Sequence, residues 1–211
     1  MALALKNPHN YLCTLEKTNK NKDFHSIIDA LSSSKYKTLL TCNSPIYQET
    51  LCDLWKNAKV KGQDKKPWAI TLKVGELLVS ITPKTISEVF EMNDYTGKTS
   101  FPEDEYQTDF IERGYEGQMR KATLQKGDFP PPMIFLFHTL LICFSNKTTA
   151  FNEIPLKIQH LGYAIMAEKD FNYSQEIFND LVNNVNNIKD KKKPFLLFPR
   201  FLAYYLQQKV P

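Results

Sequence analysis

Glycine is scarce in this chain. Seven glycines among 211 residues, against a usual share of about 7%, argue against a glycine-rich β architecture and against a phosphate-cradling loop. Arginine is scarcer still: Arg113, Arg120 and Arg200 are the only three, and every other cationic side chain is a lysine or histidine. Because arginine supplies the bidentate fork that reads guanine edges and clamps phosphates, three arginines argue against a sequence-specific DNA reader. The four cysteines (Cys13, Cys42, Cys52, Cys143) form no C-x-x-C pair. The histidines (His9, His25, His138, His160) do not stand at zinc-ligand spacing from them, which excludes the common zinc modules. The opening residues MALALKNPHNYL lack a basic leader and hold only a short apolar run, unlike a secretory signal. Long apolar stretches are missing too, so no membrane span is expected.

What remains is globular material. The chain is 42% hydrophobic, 12% aromatic and 24% charged, an aromatic content that disordered chains lack. Its length suits one domain that buries roughly 70% of its unfolded surface. The reading places an N-terminal extension at 1–22 and a single helical domain at 23–211. A net charge of +4 is far from a basic nucleic-acid-binding tail. Scattered cysteines suit a reducing compartment, so the expected location is intracellular, in cytoplasm or nucleus. Two glycosylation sequons, at Asn146 and Asn172, carry no weight without secretion.

The most apolar stretch is PPPMIFLFHTLLICFSNKTTAFNE, residues 130–153. Its core is interrupted by His138 and Thr139 and is too short for a span, which needs about 20 apolar residues. The prolines block extension at the front. A buried helix over about 132–145 is predicted, the most buried element of the fold, packed by helices at 148–167 and 174–186 and by the FPRF segment at 198–201. Apolar residues occupy every angle around its axis, so no single neighbour could hide them.

Around it the pattern is mainly α, of the α+β kind. Asp23 is expected to cap a helix carrying Ile27, Ile28 and Leu31. Ser44-Pro45 and Thr82-Pro83 each combine a side-chain acceptor with proline at the first helical position. The first should open a helix with Ile46, Leu51, Leu54, Trp55 and Ala58 inward, and the second one with Ile86, Val89 and Phe90 inward. Between them a lysine-rich loop at 59–66 leads to alternating residues on both sides of Gly75, including Trp68, Ile70 and Leu72. That predicts one inserted antiparallel β-hairpin at about 67–81. An acidic helix stops at Gly114, residues 115–128 are ambiguous, and Thr148 to Ala167 reads as a long helix that Pro155 starts or kinks. Asn172 or Ser174 caps the next helix, and KDKKK (189–193) separates it from a last one.

Few residues suggest chemistry. Gly97-Lys98-Thr99 imitates the end of a P-loop, but Met92 stands where the first glycine is required, so it reads as a turn. His138 reads as a core histidine bonded to a carbonyl or hydroxyl. Cys143 lies five residues on, about 140° around a helix, so the two form no local dyad. His138, Cys143 and Cys52 are nonetheless the first candidates for an unrecognised enzyme. The acidic cluster of Glu103, Asp104, Glu105, Asp109 and Glu112 reads as a solvated helix face. Lys56, Lys59, Lys61, Lys65 and Lys66, near Trp55 and Trp68, make the best case for nucleic acid, with Lys191, Lys192 and Lys193 a second run. Both tryptophans, however, fall on faces assigned to the core, which favours a solvated loop. No cofactor and no metal are implied.

Four blocks carry a resemblance: FHSIIDALSSSKYKTLLTCNSPIYQETLCDLWKNAKV, ITLKVGELLVSITPKTISEVFEMND, FLFHTLLICFSNKTTAFNEI, and FNYSQEIFNDLVNNV followed by FLLFPRF. In this order they cover most of 24–201, and the run from His138 to Thr148 and the FPRF at 198–201 are the more specific parts. The chain resembles a plant transposon domain of daisy-family genomes, often found downstream of reverse transcriptase and RNase H in copia-type retrotransposons, where an envelope-like frame can sit. More distantly, it is similar to the plant mobile domain. It departs from the family pattern at 118–132, where QMRKATLQKGDFPPP replaces a more aromatic lead-in. The resemblance implies origin rather than chemistry, since the family has no established active site. The expected function is therefore a non-enzymatic protein-interaction or assembly module of retrotransposon descent. A nucleic-acid-binding module is the alternative, and an enzyme with a site near His138 the third reading.

Overall fold

The thirteen residues from Leu77 to Val89 contain two well-placed local signals, and the chain obeys both. In the computed structural model, which describes residues 4–5, 10–63, 66–120, 122–144, 151–189 and 195–210, strand β4 (Leu77–Ile81) ends at Thr82 and helix α4 (Pro83–Val89) begins at once. Thr82 Oγ1 accepts from Thr85 N–H at 3.1 Å, and Thr85 Oγ1 accepts from Thr82 N–H at 2.9 Å. This reciprocal box satisfies backbone donors that a helix start leaves unpaired.

The other helices are α1 (His25–Ser33), α2 (Lys37–Thr41), α3 (Gln48–Lys56), α5 (Glu103–Glu112), α6 (Pro131–Phe144), α7 (Leu156–Met166), α8 (Tyr173–Lys189) and α9 (Pro199–Lys209). Among the described residues three small sheets accompany them. Strands β2 (Lys59–Gln63) and β3 (Lys66–Val74) pair antiparallel, and β3 pairs antiparallel with β4. Strands β5 (Thr123–Gln125) and β6 (Glu153–Pro155) form an antiparallel pair, and β1 (Ala4–Leu5) runs parallel to β7 (Phe195–Leu196). The fold is mainly α with a smaller β component, as expected. One buried apolar cluster runs from Ile27 in α1 to Tyr205 in α9.

Several expectations need correction. The predicted hairpin is present, turning at Gly75 with φ +59°, but it is two-thirds of a three-stranded sheet. The third strand comes from the supposed lysine loop, where half-buried Val60 pairs opposite Ile70 and puts Lys59 and Lys61 on an exposed edge; lysines are a usual guard of a sheet edge. Asp23 caps nothing: residues 19–24 form a 3-10 turn, and Phe24 precedes α1 without a side-chain cap. Ser44 does not open α3. Its hydroxyl donates to Gln207 Oε1 at 2.6 Å, and the helix starts at Gln48. The helix expected from Thr148 begins only at Leu156, because Pro155 sits at its N-cap position with residues 153–155 drawn into a β pair; proline tolerates a helix start and not an interior. Residues 145–150 lie outside the described part. Asn172 does cap α8, its Oδ1 accepting from Gln175 N–H at 2.9 Å.

The apolar helix α6 is deeply placed, with Leu136, Phe137, Leu140, Leu141, Cys143 and Phe144 fully buried. Helix α7 packs on it, Phe144 meets Tyr173 of α8 and Phe201 of α9, and Phe24 stacks on Phe135 at 4.8 Å. It is not the most buried element. Helix α7 is covered continuously from Ile158 to Ile165, whereas Pro131 and His138 leave one stripe of α6 open. Gly162 explains the close approach: a Cβ there would collide with the Phe137 ring. None of the described helices is long and apolar enough to cross a membrane.

Leu140 and Leu141 are wholly buried, so replacing either by Ala should cost about 2–5 kcal/mol, a large part of ordinary domain stability. Urea unfolding of both variants checks this. Midpoints equal to the parent's would show that the core closes without α6.

Candidate functional site

The enzyme candidates do not converge. His138 is exposed on the open stripe of α6, where its Nδ1 accepts from the Lys126 ammonium at 3.1 Å. The expectation of a core histidine is thus corrected: its partner is a surface lysine brought over by the 3-10 turn that precedes α6. Partial burial and the adjacent Lys126 charge lower the His138 pKa, and desolvation lowers that of Lys126. Cys52 is buried on α3, near Lys56 and Asp53, with burial raising its pKa. Cys143 lies near the C-terminal end of α6, five residues beyond His138, and is fully buried, with Cys13 and burial raising its pKa. Nothing here links an exposed base to a nucleophile.

What the fold does assemble is a group that no local pattern announced. Arg200, 4% exposed, lies at the start of α9. Its Nε donates to the Asn10 carbonyl at 3.1 Å, and one terminal nitrogen donates to the Cys42 carbonyl at 2.9 Å and approaches Cys42 Sγ at 3.1 Å. Its other terminal nitrogen, Nη2, is buried without an acceptor among the described residues. The groups that tune its charge are the thiols of Cys42, Cys143 and Cys13, and burial lowers its pKa. Asn10 completes the link by donating its amide to the Cys143 carbonyl at 2.9 Å, while Tyr11 N–H donates to the Ile142 carbonyl at 3.0 Å. Residues 10–13, within the expected extension, are therefore bonded to α6 and α9. Among the described residues no group of three or more metal-ligating side chains could hold an ion.

The lysine face is also rearranged. The register between β2 and β3 slips between Lys61 and Gly62, so Lys61 faces Ala69, Gly62 faces Pro67, and Trp68 is the extra residue. Such a bulge interrupts strict alternation and re-aims a side chain. Trp68 is consequently 60% exposed rather than buried with Ile70, which overturns its assignment to the core. Trp55 is buried as expected, donating its indole N–H to Asn184 Oδ1 at 2.8 Å. Lys56 pairs with Asp53 at 2.7 Å, while Lys59, Lys61 and Lys66 are exposed and meet no carboxylate among the described residues. Lys65, Lys191, Lys192 and Lys193 lie outside the described part. A groove of about 530 Å³ beside this face is lined by Lys66, Pro67, Asn183 and Asn186.

A second concavity is apolar. About 340 Å³ is enclosed between α3, the end of β3 and α9, floored by Leu51, Leu54, Val74, Ala203, Leu206 and Val210. Ser44, Pro45, Tyr47, Thr50 and Gln207 form the rest of the lining, so none of the lining residues is charged. Tyr47 is 70% exposed at its mouth and Ile46 beside it 42% exposed, although Ile46 was expected inward; the late start of α3 turns it to solvent.

Comparison with protein-family models, with curated proteins and with solved structures returns no match. The acidic cluster is only in part a solvated face: Glu105 accepts from the Tyr163 hydroxyl at 2.7 Å and Asp109 pairs with Arg113 at 2.7 Å, tying α5 to α7 and to its own end. The turn lies just before Gly97-Lys98-Thr99, closed by Gly97 N–H on the Asp94 carbonyl, and Lys98 itself bridges to Phe171, its carbonyl accepting from Asn172 N–H at 2.7 Å. Sequence reasoning missed Asn10, Cys13, Cys42 and Arg200 as a group. One signal was available: an arginine inside the apolar run FLLFPRF must find buried partners.

His160 was missed too. It is buried among the rings of Phe101, Tyr106 and Phe171, its Nε2 has no partner among the described residues, and burial pushes its pKa down to about 4. The unfolded chain, with an ordinary histidine pKa near 6.5, binds the proton more readily. Stability is therefore intact above about pH 6.5 and falls as pH drops toward 4, by at most about 1.4 kcal/mol per pH unit from this one group. A His160→Leu variant should lose that component, so its urea midpoint should fall less than the parent's between pH 7 and pH 5. Parallel declines would show that His160 is already solvated in the folded state.

Proposed function

We propose that this chain is a protein-interaction or assembly module, of the retrotransposon descent its resemblance implies, that receives an apolar segment of a partner protein between α3 and α9. The observation that carries this reading is the uncharged apolar groove with Tyr47, one of its lining residues, 70% exposed. Exposed apolar surface gathered in one concavity costs solvation and marks a binding site more often than scattered residues do. A groove between two helices suits the apolar face of an amphipathic helix, whose anchors recur at i, i+3, i+4 and i+7.

Selection of a displayed peptide library against the whole chain tests the reading. Enriched peptides should carry apolar residues at helical spacing and lose about tenfold or more in affinity, over 1.4 kcal/mol, when Tyr47→Asp and Leu206→Glu are introduced together. Circular dichroism of the variant verifies folding. No enrichment, or peptides indifferent to those charges, would defeat the proposal.

A second reading, single-stranded nucleic acid on the β2–β3 face, is favoured by one observation. Trp68 stands exposed beside Lys59, Lys61 and Lys66, and an aromatic next to cations is the pairing that stacks a base and neutralises its phosphate. Binding of oligonucleotides across a salt series decides it. Trp68→Ala should weaken binding by about 1–3 kcal/mol, and Lys61→Ala should flatten the slope of log affinity against log salt by about 1. A slope near zero in the parent removes this reading.

A further inference from the structure

We propose, resting on the nucleic-acid reading of the β2–β3 face, that the groove between that face and α8 is a base-recognition subsite where Asn183 and Asn186 read the edge of one unpaired adenine. Stacking and charge alone accept any base, so such a site adds a specificity that the face itself lacks. The groove, about 530 Å³, lies where α8 packs on β2. Val60, Pro67 and Val182 are its apolar lining, and Lys66, Asn183 and Asn186 its polar lining. Gly62 completes the wall, and no side chain could stand there, since a Cβ would come within 2.6 Å of the Lys66 carbonyl oxygen. The same bulge leaves Trp68 as the extra residue, 60% exposed and next in sequence to Pro67. Groove and exposed ring are adjacent products of one irregularity in the sheet.

The asparagines themselves point to a ligand. Residues 183–187 of α8 read Asn-Asn-Val-Asn-Asn, a poor sequence for a helix interior, because asparagine offers the backbone competing hydrogen bonds. Asn184 has a structural reason to be there. It is buried, and its Oδ1 accepts from the Trp55 indole N–H at 2.8 Å and from Leu197 N–H at 3.3 Å. Asn183 and Asn186 are exposed, so burial does not call for them. Three residues apart on a helix, they share a face, and both line the groove.

The chemistry of that lining selects among bases. A primary amide carries an acceptor and donors at one planar end. Adenine offers the complement, an amino donor beside a ring-nitrogen acceptor, which asparagine meets bidentately. Guanine presents two acceptors at the same edge and calls for arginine or lysine. The apolar lining gives a flat base a surface to lie on. Exposed Lys66 continues the cations of Lys59 and Lys61 toward the groove, and among the described residues no carboxylate lines it to repel a phosphate. Trp68 then stacks the neighbouring base. The strand must be single, because a base leaves its stack to enter a groove beside a helix.

Fluorescence anisotropy on the whole chain tests this, using labelled oligomers of deoxyadenosine, deoxycytidine and deoxythymidine, each about twelve nucleotides long, across a salt series. The adenine oligomer should bind at least about fivefold tighter than either pyrimidine oligomer at equal salt. Replacing both groove amides, Asn183→Ala with Asn186→Ala, exchanges exposed asparagines for a better helix former, and circular dichroism verifies the fold. That variant should bind all three oligomers alike while keeping the parent's salt slope. Trp68→Ala should weaken all three and leave the adenine preference in place. A parent with a clear salt slope but equal affinity for the three oligomers, or an adenine preference that survives in the double variant, overturns the subsite and leaves the nucleic-acid reading of the face standing. A slope near zero with every oligomer removes both.

Discussion

A single buried guanidinium joins three remote parts of this chain: the N-terminal segment at Asn10, the end of α2 at Leu40 and Cys42, and the start of α9. Removing a charge from water costs several kcal/mol after relaxation, so Arg200 is tolerable only where carbonyls converge. Asn10, Leu40 and Cys42 supply them. The exchange is reciprocal, because Asn10 Oδ1 accepts from the N–H groups of Arg200 at 3.0 Å and Phe201 at 3.3 Å. Those are first-turn donors of α9 that its own N-cap residue, Phe198, leaves unsatisfied. Phe198 adopts φ +50° directly before a proline, a backbone that costs on the order of 1–3 kcal/mol in a non-glycine residue. Its ring is fully buried and stacks on Phe201 at 5.4 Å, which together with the Asn10 cap offsets that strain. The FPRF segment is thus intelligible residue by residue: a strained entry, a helix-starting proline, a buried ion and an aromatic that closes over it.

How much of this could be read beforehand depended on whether the deciding partner lay near in sequence. Thr82, Pro83 and Thr85 form their box within four residues, and that helix start was legible. Ser44-Pro45 carries the same local signal and does not start a helix; its serine hydroxyl instead donates to Gln207 from the far end of the chain. Pro155 shows the converse: its chemistry announced a boundary, but nothing local told that residues 153–155 would pair with 123–125. Trp68 alternates perfectly with Ile70 and Leu72, and one slip of register, invisible in the sequence, turns it to solvent. His138 sits in the most apolar helix yet finds a lysine from the preceding turn rather than a core carbonyl. The Arg200 group was the least legible feature, since 190 positions separate the arginine from Asn10 and no spacing rule covers that distance.

The distribution of apolar surface explains why the candidate sites lie where they do. The run in 133–144 is so apolar that it invites a functional reading, but its side chains are spent on the core: α7 approaches closely enough to demand Gly162, and Phe144 meets both Tyr173 and Phe201. Only the stripe through Pro131 and His138 stays open. The elements that retain exposed apolar groups are those whose neighbours are short. Helix α3 begins late and leaves Ile46 and Tyr47 uncovered, and the three-stranded sheet has no layer over Leu78, which is 69% exposed. The groove between α3 and α9 therefore follows from a helix that could not extend toward Pro45. Ser44, donating to Gln207 of α9, and Gln207 itself both belong to the groove's lining. Any partner that seats there closes a gap that the late start of α3 leaves.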